Sequence, residues 1–183
     1  MRFLERIENP ILRGAAEWLI LIGLAILLFL VMRMFIFRTA HVDGFSMSPT
    51  LEHGDWIILN RFVYIVSTPR AGDITAFPNP ENRSEFFVKR IVAVPGDEVD
   101  LRGGFFYVNG ERLEDDFSAE PTGGSGLLDF PVIVEERHFF LLGDNRNGSQ
   151  DSRFAVVGTI PHRDMVGRAG VQVWPPGRMG SLR

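Results

Sequence analysis

An apolar run near the N-terminus limits most strongly what this chain can fold into. Residues 18–32 carry no charged side chain, and the apolar run extends over residues 15–37. Its charged residues, Glu17 and Arg33, lie near the two ends. At about 1.5 Å per helical residue, this run is long enough to cross a bilayer core of about 30 Å. Because it has no polar face, it is not typical of a soluble helix, and we predict a transmembrane helix over residues 15–37.

A cleaved signal peptide is the main alternative for such a run. Cleavage requires small residues before the cut, but Ala40 has Arg38 two positions before it and bulky residues 35–37 upstream. The sequence therefore favours an uncleaved anchor.

Basic residues are denser on the N-terminal side of the run. Three arginines lie within residues 1–14, whereas Arg33 and Arg38 lie at the other end of the run and the next Lys or Arg is Arg61. Positive charge favours the cytoplasmic side of a membrane. We predict a cytoplasmic segment over residues 1–14 and an extracytoplasmic domain over residues 38–183.

The chain after the anchor has the pattern of a mainly β protein, with short apolar runs, many turn residues and no long amphipathic helix. The predicted strands are Trp56–Leu59, Ile74–Phe77, Phe86–Val94, Phe105–Val108, Val132–Glu135, His138–Leu142 and Val171–Trp174. Asn109-Gly110 predicts a tight hairpin turn before a short run at Glu111–Leu113. Asp115–Asp129 is typical of a surface loop. We expect an antiparallel, barrel-like sheet with a small inserted β region at about 100–138.

Composition excludes several classes of function. The 183 residues have a net charge of −4 and no basic patch, which argues against nucleic acid as a partner. The absence of cysteine excludes a disulfide framework and a thiolate metal site.

A serine and a lysine stand in contexts that favour nucleophilic catalysis. Ser46 lies in the segment Gly44–Leu51, between a glycine and a proline, and Lys89 lies in the apolar strand pattern Phe86–Val94. Serine is a weak nucleophile until a nearby base accepts its proton. Lysine is a base only when its neutral form is populated, and burial among apolar side chains favours that form.

Each of these residues also has a simpler interpretation. Ser46 fits an ordinary turn serine, and Ser48 is a second candidate nucleophile two positions on. Lys89 fits an edge-strand lysine that limits aggregation. A Ser/His/Asp site would instead require a histidine beside the serine, but none of the four histidines lies in a distinctive motif.

The polar segment Gly143–Arg153 allows two simple readings, an Asx-rich surface turn and a calcium loop. An EF-hand loop needs Asp or Asn at its third position and Gly at its sixth. Counted from Asp144, those positions hold Arg146 and Ser149, so the calcium loop is disfavoured.

Four segments, in this order along the chain, resemble the bacterial type I signal peptidases, the Ser/Lys family that removes signal peptides from exported proteins. They are Ser46–Leu51, Gly54–Asn60, Lys89–Asp97 and Gly143–Arg153. With the anchor, the resemblance covers most of the chain outside about residues 100–138.

The resemblance implies a role for each candidate residue. Ser46 is the nucleophile, Lys89 is the general base, and Ser149 orients the lysine amine. Four charged residues form an ion-pair network beneath the site: Asp144, Arg146, Asp151 and Arg153. Some members place a side-chain oxyanion donor where this chain has Gly44, so that donor is absent here. In many members an Asp-Asn pair stands where this chain has Asn147-Gly148.

The resemblance also implies the substrate and its surroundings. Preproteins with small residues at −1 and −3 bind as an extended strand near Asp43, Phe45, Phe87 and Val88, and no cofactor or metal is needed. The implied partners are membrane lipid and the protein export machinery, at the bacterial cytoplasmic (inner) membrane with a single span. The alternatives are a processing peptidase specialised for a conjugation or pilus protein, and an inactive anchored β domain that binds preproteins.

Overall fold

The computed structural model describes residues 10–114, 117, 120–123 and 127–182. Most of the predicted cytoplasmic segment 1–14, namely residues 1–9, lies outside the described residues, and so does part of the predicted loop Asp115–Asp129. Contacts within the chain divide it into two compact units, with the division between Phe37 and Arg38.

The first unit contains a single long helix in its described part. Helix α1 covers Pro10–Ile36, and its Pro10–Met32 portion is long and apolar enough to span a membrane. Pro10 suits the first helical turn, where its missing N–H is not needed. None of the side chains in the span is buried, as expected of a helix that crosses a membrane.

The regular secondary structure of the second unit consists mainly of antiparallel strands, which confirms the predicted mainly β class. The strands are β1 Phe37–His41, β2 Trp56–Asn60, β3 Ile74–Pro78, β4 Phe86–Ala93, β5 Glu98–Arg102, β6 Phe105–Val108, β7 Glu111–Arg112, β8 Val132–Ile133, β9 His138–Leu142, β10 Ile160–Pro161, β11 Gly167–Trp174 and β12 Gly180–Ser181. A short helix α2 covers Val63–Val66, and 3₁₀ turns cover Arg146–Gly148, His162–Asp164 and Pro176–Arg178.

Eight strands form the larger sheet. Its order is β1-β2-β11-β3-β4-β9-β10, and β12 pairs with β11. β4 lies between β3, which pairs with it from Phe86 to Arg90, and β9, which pairs with it from Arg90 to Ala93. Lys89 therefore pairs with Thr75 of β3 and lies directly before the part of β4 that has strands on both sides.

The smaller sheet has the order β7-β6-β5-β8 and lies within the region predicted as an insertion, apart from the start of β5. Asn109 and Gly110 form the predicted two-residue turn between β6 and β7, both with positive φ (53° and 82°). Such values suit a type I′ hairpin turn. Val99 and Phe106 from this sheet pack with Phe140 and Leu142 of β9, which joins the two sheets through one apolar core.

Candidate active site

The structure brings Ser46 and Lys89 together, although 43 positions separate them in sequence. Lys89 Nζ lies 2.6 Å from Ser46 Oγ, within hydrogen-bond distance. Lys89 is 2% exposed and Ser46 is half-buried, so the pair faces both the core and the surface. This is the geometry that proton transfer from the hydroxyl to the amine requires.

The loop between β1 and β2 fixes Ser46 in place. Met47 and Leu51 are buried in the core beneath it, and the Leu51 N–H donates to the Met47 carbonyl at 2.9 Å. Gly44 has a φ of +111°, a conformation that side-chain-bearing residues rarely adopt. Glycine at this position therefore allows the chain to turn from β1 into the serine segment.

Burial is the main reason why the Lys89 amine differs from an ordinary lysine. Desolvation lowers the pKa of Lys89 from 10.5 to about 8, with Arg153 acting in the same direction and Asp151 and Asp144 opposing it. The Nζ atom also lies 5.1 Å from the centre of the Phe87 ring. A substantial neutral fraction therefore exists in mildly alkaline solution.

The lowered pKa has a cost in stability. Between about pH 8 and 10.5 the unfolded chain binds this proton and the folded chain does not, so the contribution of Lys89 to stability rises with pH there. Below about pH 8 the full destabilisation applies, because Lys89 is then protonated in both states. The pKa shift lowers the free energy of unfolding by about 3 kcal/mol.

Asn145 joins the serine loop to the polar segment Gly143–Arg153. Its backbone N–H donates to the Ser46 carbonyl and its side-chain Nδ2 donates to the Phe45 carbonyl, both at 3.1 Å. Its Oδ1 accepts from the Gly148 N–H. Sequence reasoning treated Asn145 only as a possible calcium ligand and missed this contact, because residues 45 and 145 have no visible relation in sequence.

Ser149 lies near the pair formed by Ser46 and Lys89. The resemblance implies that Ser149 hydrogen-bonds the Lys89 amine, but no such bond joins the two within the described residues. The Ser149 Oγ is buried and has no hydrogen-bond partner in the described part of the chain. A Cβ added to Gly143 would collide with the Ser149 side chain and the Ser46 carbonyl. Gly143 therefore allows the two serine-bearing segments to approach each other.

The four predicted charged residues are buried, and three of them, Asp144, Asp151 and Arg153, take part in ion pairs between described residues. Arg153 Nε lies 2.7 Å from Asp151 Oδ1, and Arg90 contacts both oxygens of Asp144 at 2.8 Å. Thr50 also donates to Asp144 at 2.6 Å. Arg146 donates to the Gly143 carbonyl at 3.1 Å.

Sequence reasoning did not identify Arg90, whose guanidinium stays charged, as the partner of Asp144. The available signal was that Arg90 directly follows Lys89 on β4. Because neighbouring side chains of a strand point to opposite faces, Arg90 was expected on the face opposite to Lys89.

The residues predicted to bind substrate lie in the loop after β1 and on β4. Asp43 and Phe45 are exposed in the loop after β1, while Phe87 and Val88 are half-buried on β4. β9 pairs with β4 only from Arg90 onward, so the Phe86–Lys89 portion of β4 has no described strand partner on that side. Such an edge can accept an extended peptide.

The histidine nearest the serine loop is His53, and it does not contact the serine hydroxyl. His53 Nδ1 lies 3.3 Å from the Gly44 amide nitrogen and 3.1 Å from Asp43 Oδ1. Within the described residues, no hydrogen bond joins a histidine to Ser46. Lys89 is therefore the base that the geometry favours.

Comparisons with known proteins point to one family. A family model described as signal peptidase, peptidase S26, matches residues 15–174. A signal peptidase I of Leptolyngbya laminosa is 35% identical over 182 residues, covering 96% of this chain and 85% of the relative. A probable signal peptidase I-2 of Synechocystis sp. is 36% identical over 164 residues, covering 86% of this chain and 72% of the relative.

One solved structure, a signal peptidase I from Enterococcus faecalis, is similar with a TM-score of 0.45 and 30% identity, covering 56% of this chain and 97% of that one. The family model spans the anchor, the serine loop, β4 and the polar segment, so all four segments that carried the resemblance lie within the match. The chain therefore belongs to the signal peptidase family, peptidase S26.

Proposed function

We propose that Ser46 and Lys89 are the nucleophile and general base with which this chain acts as a signal peptidase. The family is one of membrane-bound serine endopeptidases that cleave signal peptides from preproteins. The observation that supports the two roles is the 2.6 Å contact between the Ser46 hydroxyl and a buried amine of lowered pKa.

In the first half of the reaction, Ser46 Oγ attacks the scissile carbonyl and its proton passes to Lys89 Nζ. The ammonium of Lys89 then donates this proton to the leaving amine as the peptide bond breaks, and an ester on Ser46 remains. In the second half, neutral Lys89 accepts a proton from water, which attacks the ester carbonyl. Lys89 then returns this proton to Ser46 Oγ as the ester bond breaks, and the signal peptide leaves with a new C-terminal carboxyl group.

The negative oxygen of the intermediates needs a donor that is already in place. The Ser46 N–H donates to no acceptor in the described part of the chain, and it is the donor we propose. Gly44 carries no side chain that could add a second one.

The substrate fits as an extended strand between the loop after β1 and the unpaired edge of Phe86–Lys89. Backbone hydrogen bonds would align the chain, and pockets near Phe45, Phe87 and Val88 would select small residues at −1 and −3. We also propose that the chain contacts membrane lipid and the protein export machinery.

The proposed arrangement in the membrane is a single span, with residues 1–14 in the cytoplasm and residues 38–183 outside it. It is supported by helix α1, which is long enough to cross, and by the arginines that precede the span. The proposed location is the bacterial cytoplasmic membrane.

Mass spectrometry after treatment with an active-site acylating inhibitor tests the nucleophile directly. We expect one adduct, on Ser46. An adduct on Ser48, whose hydroxyl donates to Glu52 at 2.8 Å, would overturn the assignment.

The pH profile tests the base. The logarithm of kcat/KM on a signal-peptide substrate should fall with a slope of about one per pH unit below about pH 8, because protonated Lys89 cannot accept the serine proton. Replacement of Lys89 by histidine should leave trace activity, with this limb moved toward the imidazole pKa of about 6.5. A wild-type limb near pH 4, typical of a carboxylate, would contradict the proposal.

Removal of residues 1–37 should leave a folded β domain, because the core of the second unit consists of residues beyond Phe37. Circular dichroism should show a β spectrum and a cooperative thermal transition, and the domain should still cleave peptides. Loss of that transition would show that the helix is needed for folding.

A further inference from the structure

Thr122 is a buried polar residue in the segment between β7 and β8, although its neighbours Pro121 and Gly123 are exposed. Only 6% of Thr122 is accessible. Removing a hydroxyl from water costs free energy unless the hydroxyl is hydrogen-bonded. The partner of this hydroxyl therefore indicates what the residue does.

The Thr122 hydroxyl accepts a hydrogen bond from Nη1 of Arg153, and Nη1 has no other acceptor in the described part of the chain. The other nitrogens of Arg153 bind the polar segment: Nε donates to Asp151 Oδ1 at 2.7 Å, and Nη2 donates to the Ser149 carbonyl and to Asp151 Oδ2, both at 3.0 Å. Because Arg153 is 1% exposed, water does not replace a lost acceptor. Thr122 therefore helps to fix the orientation of this guanidinium.

These contacts continue to the nucleophile. Asp151 Oδ2 also accepts from the Gly143 N–H at 2.9 Å, and Gly143 lies so close to the Ser46 carbonyl that a Cβ would not fit between them. A change in the position of Arg153 would therefore be passed through Asp151 to the serine loop.

The same pair acts on the charge of Lys89. Asp151 and Asp144 favour its ammonium form, and Arg153 opposes it. Asp144 is held separately by Arg90. The balance between Asp151 and Arg153 is thus the part of this field that depends on Thr122.

The smaller sheet holds Thr122 from the other side. The Thr122 N–H donates to the Gly104 carbonyl at 2.8 Å, in the turn between β5 and β6. A Cβ on Gly104 would lie 2.6 Å from the Cβ of Pro121, closer than two unbonded carbon atoms approach. Glycine at position 104 therefore allows this turn to pack against the segment that carries Thr122.

We infer that Thr122 is a positioning residue for the cleavage reaction, through which the smaller sheet orients Arg153 and thereby the segments that carry Ser46 and Ser149. The inference rests on the proposed roles of Ser46 and Lys89. A threonine that only stabilised its own loop would leave the geometry and charges of the active site unchanged when replaced.

Lys89 is the only lysine among the 183 residues, which allows a direct test in the full chain. Carbon-13 labelling of lysine Cε gives one NMR signal, and its pH titration reports the pKa of Lys89 without any need for activity. The variants are Thr122→Val, which removes the hydroxyl, and Thr122→Ser, which keeps it. Thr159→Val is the matched control, because Thr159 is half-buried and its hydroxyl forms no hydrogen bond within the described residues. Steady-state kinetics on a signal-peptide substrate accompany each titration.

We expect Thr122→Val to lower kcat by about 10- to 100-fold with little change in KM, because misplaced catalytic groups slow the chemical step. The pKa of Lys89 should rise, since Asp151 would be less well compensated by Arg153, and the acidic limb of kcat/KM should move to higher pH with it. Thr122→Ser should recover most of the lost kcat and the wild-type titration, and Thr159→Val should change neither.

Two glycine variants test the link to the smaller sheet. Gly104→Ala should reproduce the loss of kcat and the shifted titration of Thr122→Val, because its Cβ would push Pro121 and Thr122 away. Gly103→Ala is the control, since Gly103 belongs to the same turn and also has a positive φ (58°, against 85° at Gly104), but a Cβ there meets nothing within 4 Å. It should lose stability only.

A Thr122→Val variant that is less stable but keeps the wild-type lysine titration and pH limb would show a purely structural role and overturn the inference. A Thr122→Ser variant as impaired as Thr122→Val would do the same, because the methyl group would then be what matters. Equal behaviour of Gly104→Ala and Gly103→Ala would reject the role of the smaller sheet. Failure of the proposed dyad is recognised separately, as full activity in Ser46→Ala, and the Lys89 titration remains valid in that case.

Discussion

Cleavage of a signal-peptide substrate should be lost when Ser46 is replaced by alanine or Lys89 by methionine, with kcat lower by about four to six orders of magnitude. Each change removes one partner of the 2.6 Å contact, and neither residue can perform its step alone. The double variant should be no worse than either single one, since the two groups act as a unit. Steady-state kinetics in detergent measure all three.

Measurements of folding stability distinguish a loss of catalysis from a loss of the folded structure. Methionine has nearly the length of lysine without its charge, so Lys89→Met should be more stable than the wild type at pH 7, by up to about 3 kcal/mol, in thermal or denaturant unfolding. Ser48→Ala is the matched control for the serine and should cost little activity. A fully active Ser46→Ala variant, or a fully active Lys89→Arg variant, would reject the dyad.

Gly143→Ala should lower kcat by at least about 100-fold, because its new Cβ would occupy the space of the Ser149 side chain and the Ser46 carbonyl. The Ser149 side chain or the Ser46 carbonyl must therefore move, and this movement displaces the nucleophilic hydroxyl of Ser46. Overpacking at this site should also cost about 1–3 kcal/mol in stability. Steady-state kinetics and thermal unfolding measure the two effects.

Gly177→Ala is the control for this substitution, because a Cβ at Gly177 meets nothing within 4 Å. It should retain wild-type kinetics and stability. Full activity in Gly143→Ala would mean that the contact between the two serine-bearing segments does not position Ser46.

The parts of the fold that were predictable carry local signals. The strands Phe105–Val108 and His138–Leu142 have the predicted bounds, since each is a dense run of β-forming residues. The turn at Asn109-Gly110 was predictable because its two residues tolerate positive φ. The burial of Lys89 followed from its apolar neighbours on β4.

Other strands take their structure from their partners. β11 starts at Gly167, four residues before the predicted start at Val171, because its Gly-Arg-Ala-Gly sequence has no strand signal and pairs with β2 and β3 on both sides. β5 was missed because Val99 and Leu101 stand among charged residues, and its pairing with β6 and β8 determines it.

The same reason explains what was missed at the site. The contacts of Asn145 with the Phe45 and Ser46 carbonyls, and the pairing of Arg90 with Asp144, join segments about 100 and 54 positions apart. No local pattern specifies such contacts, because they depend on how the strands are arranged in the sheet.

The contacts of Asn145 also have a consequence for inhibitor chemistry. Its two donors and the Ser48 N–H occupy the carbonyl groups of Phe45 and Ser46, so a compound gains little by offering donors there. The Ser46 amide remains as a donor, and it lies on the residue that carries the reactive hydroxyl. A compound for this site should therefore combine an electrophilic atom with an acceptor oxygen on that same atom, as the boron of a boronate or the carbonyl carbon of a strained lactam does.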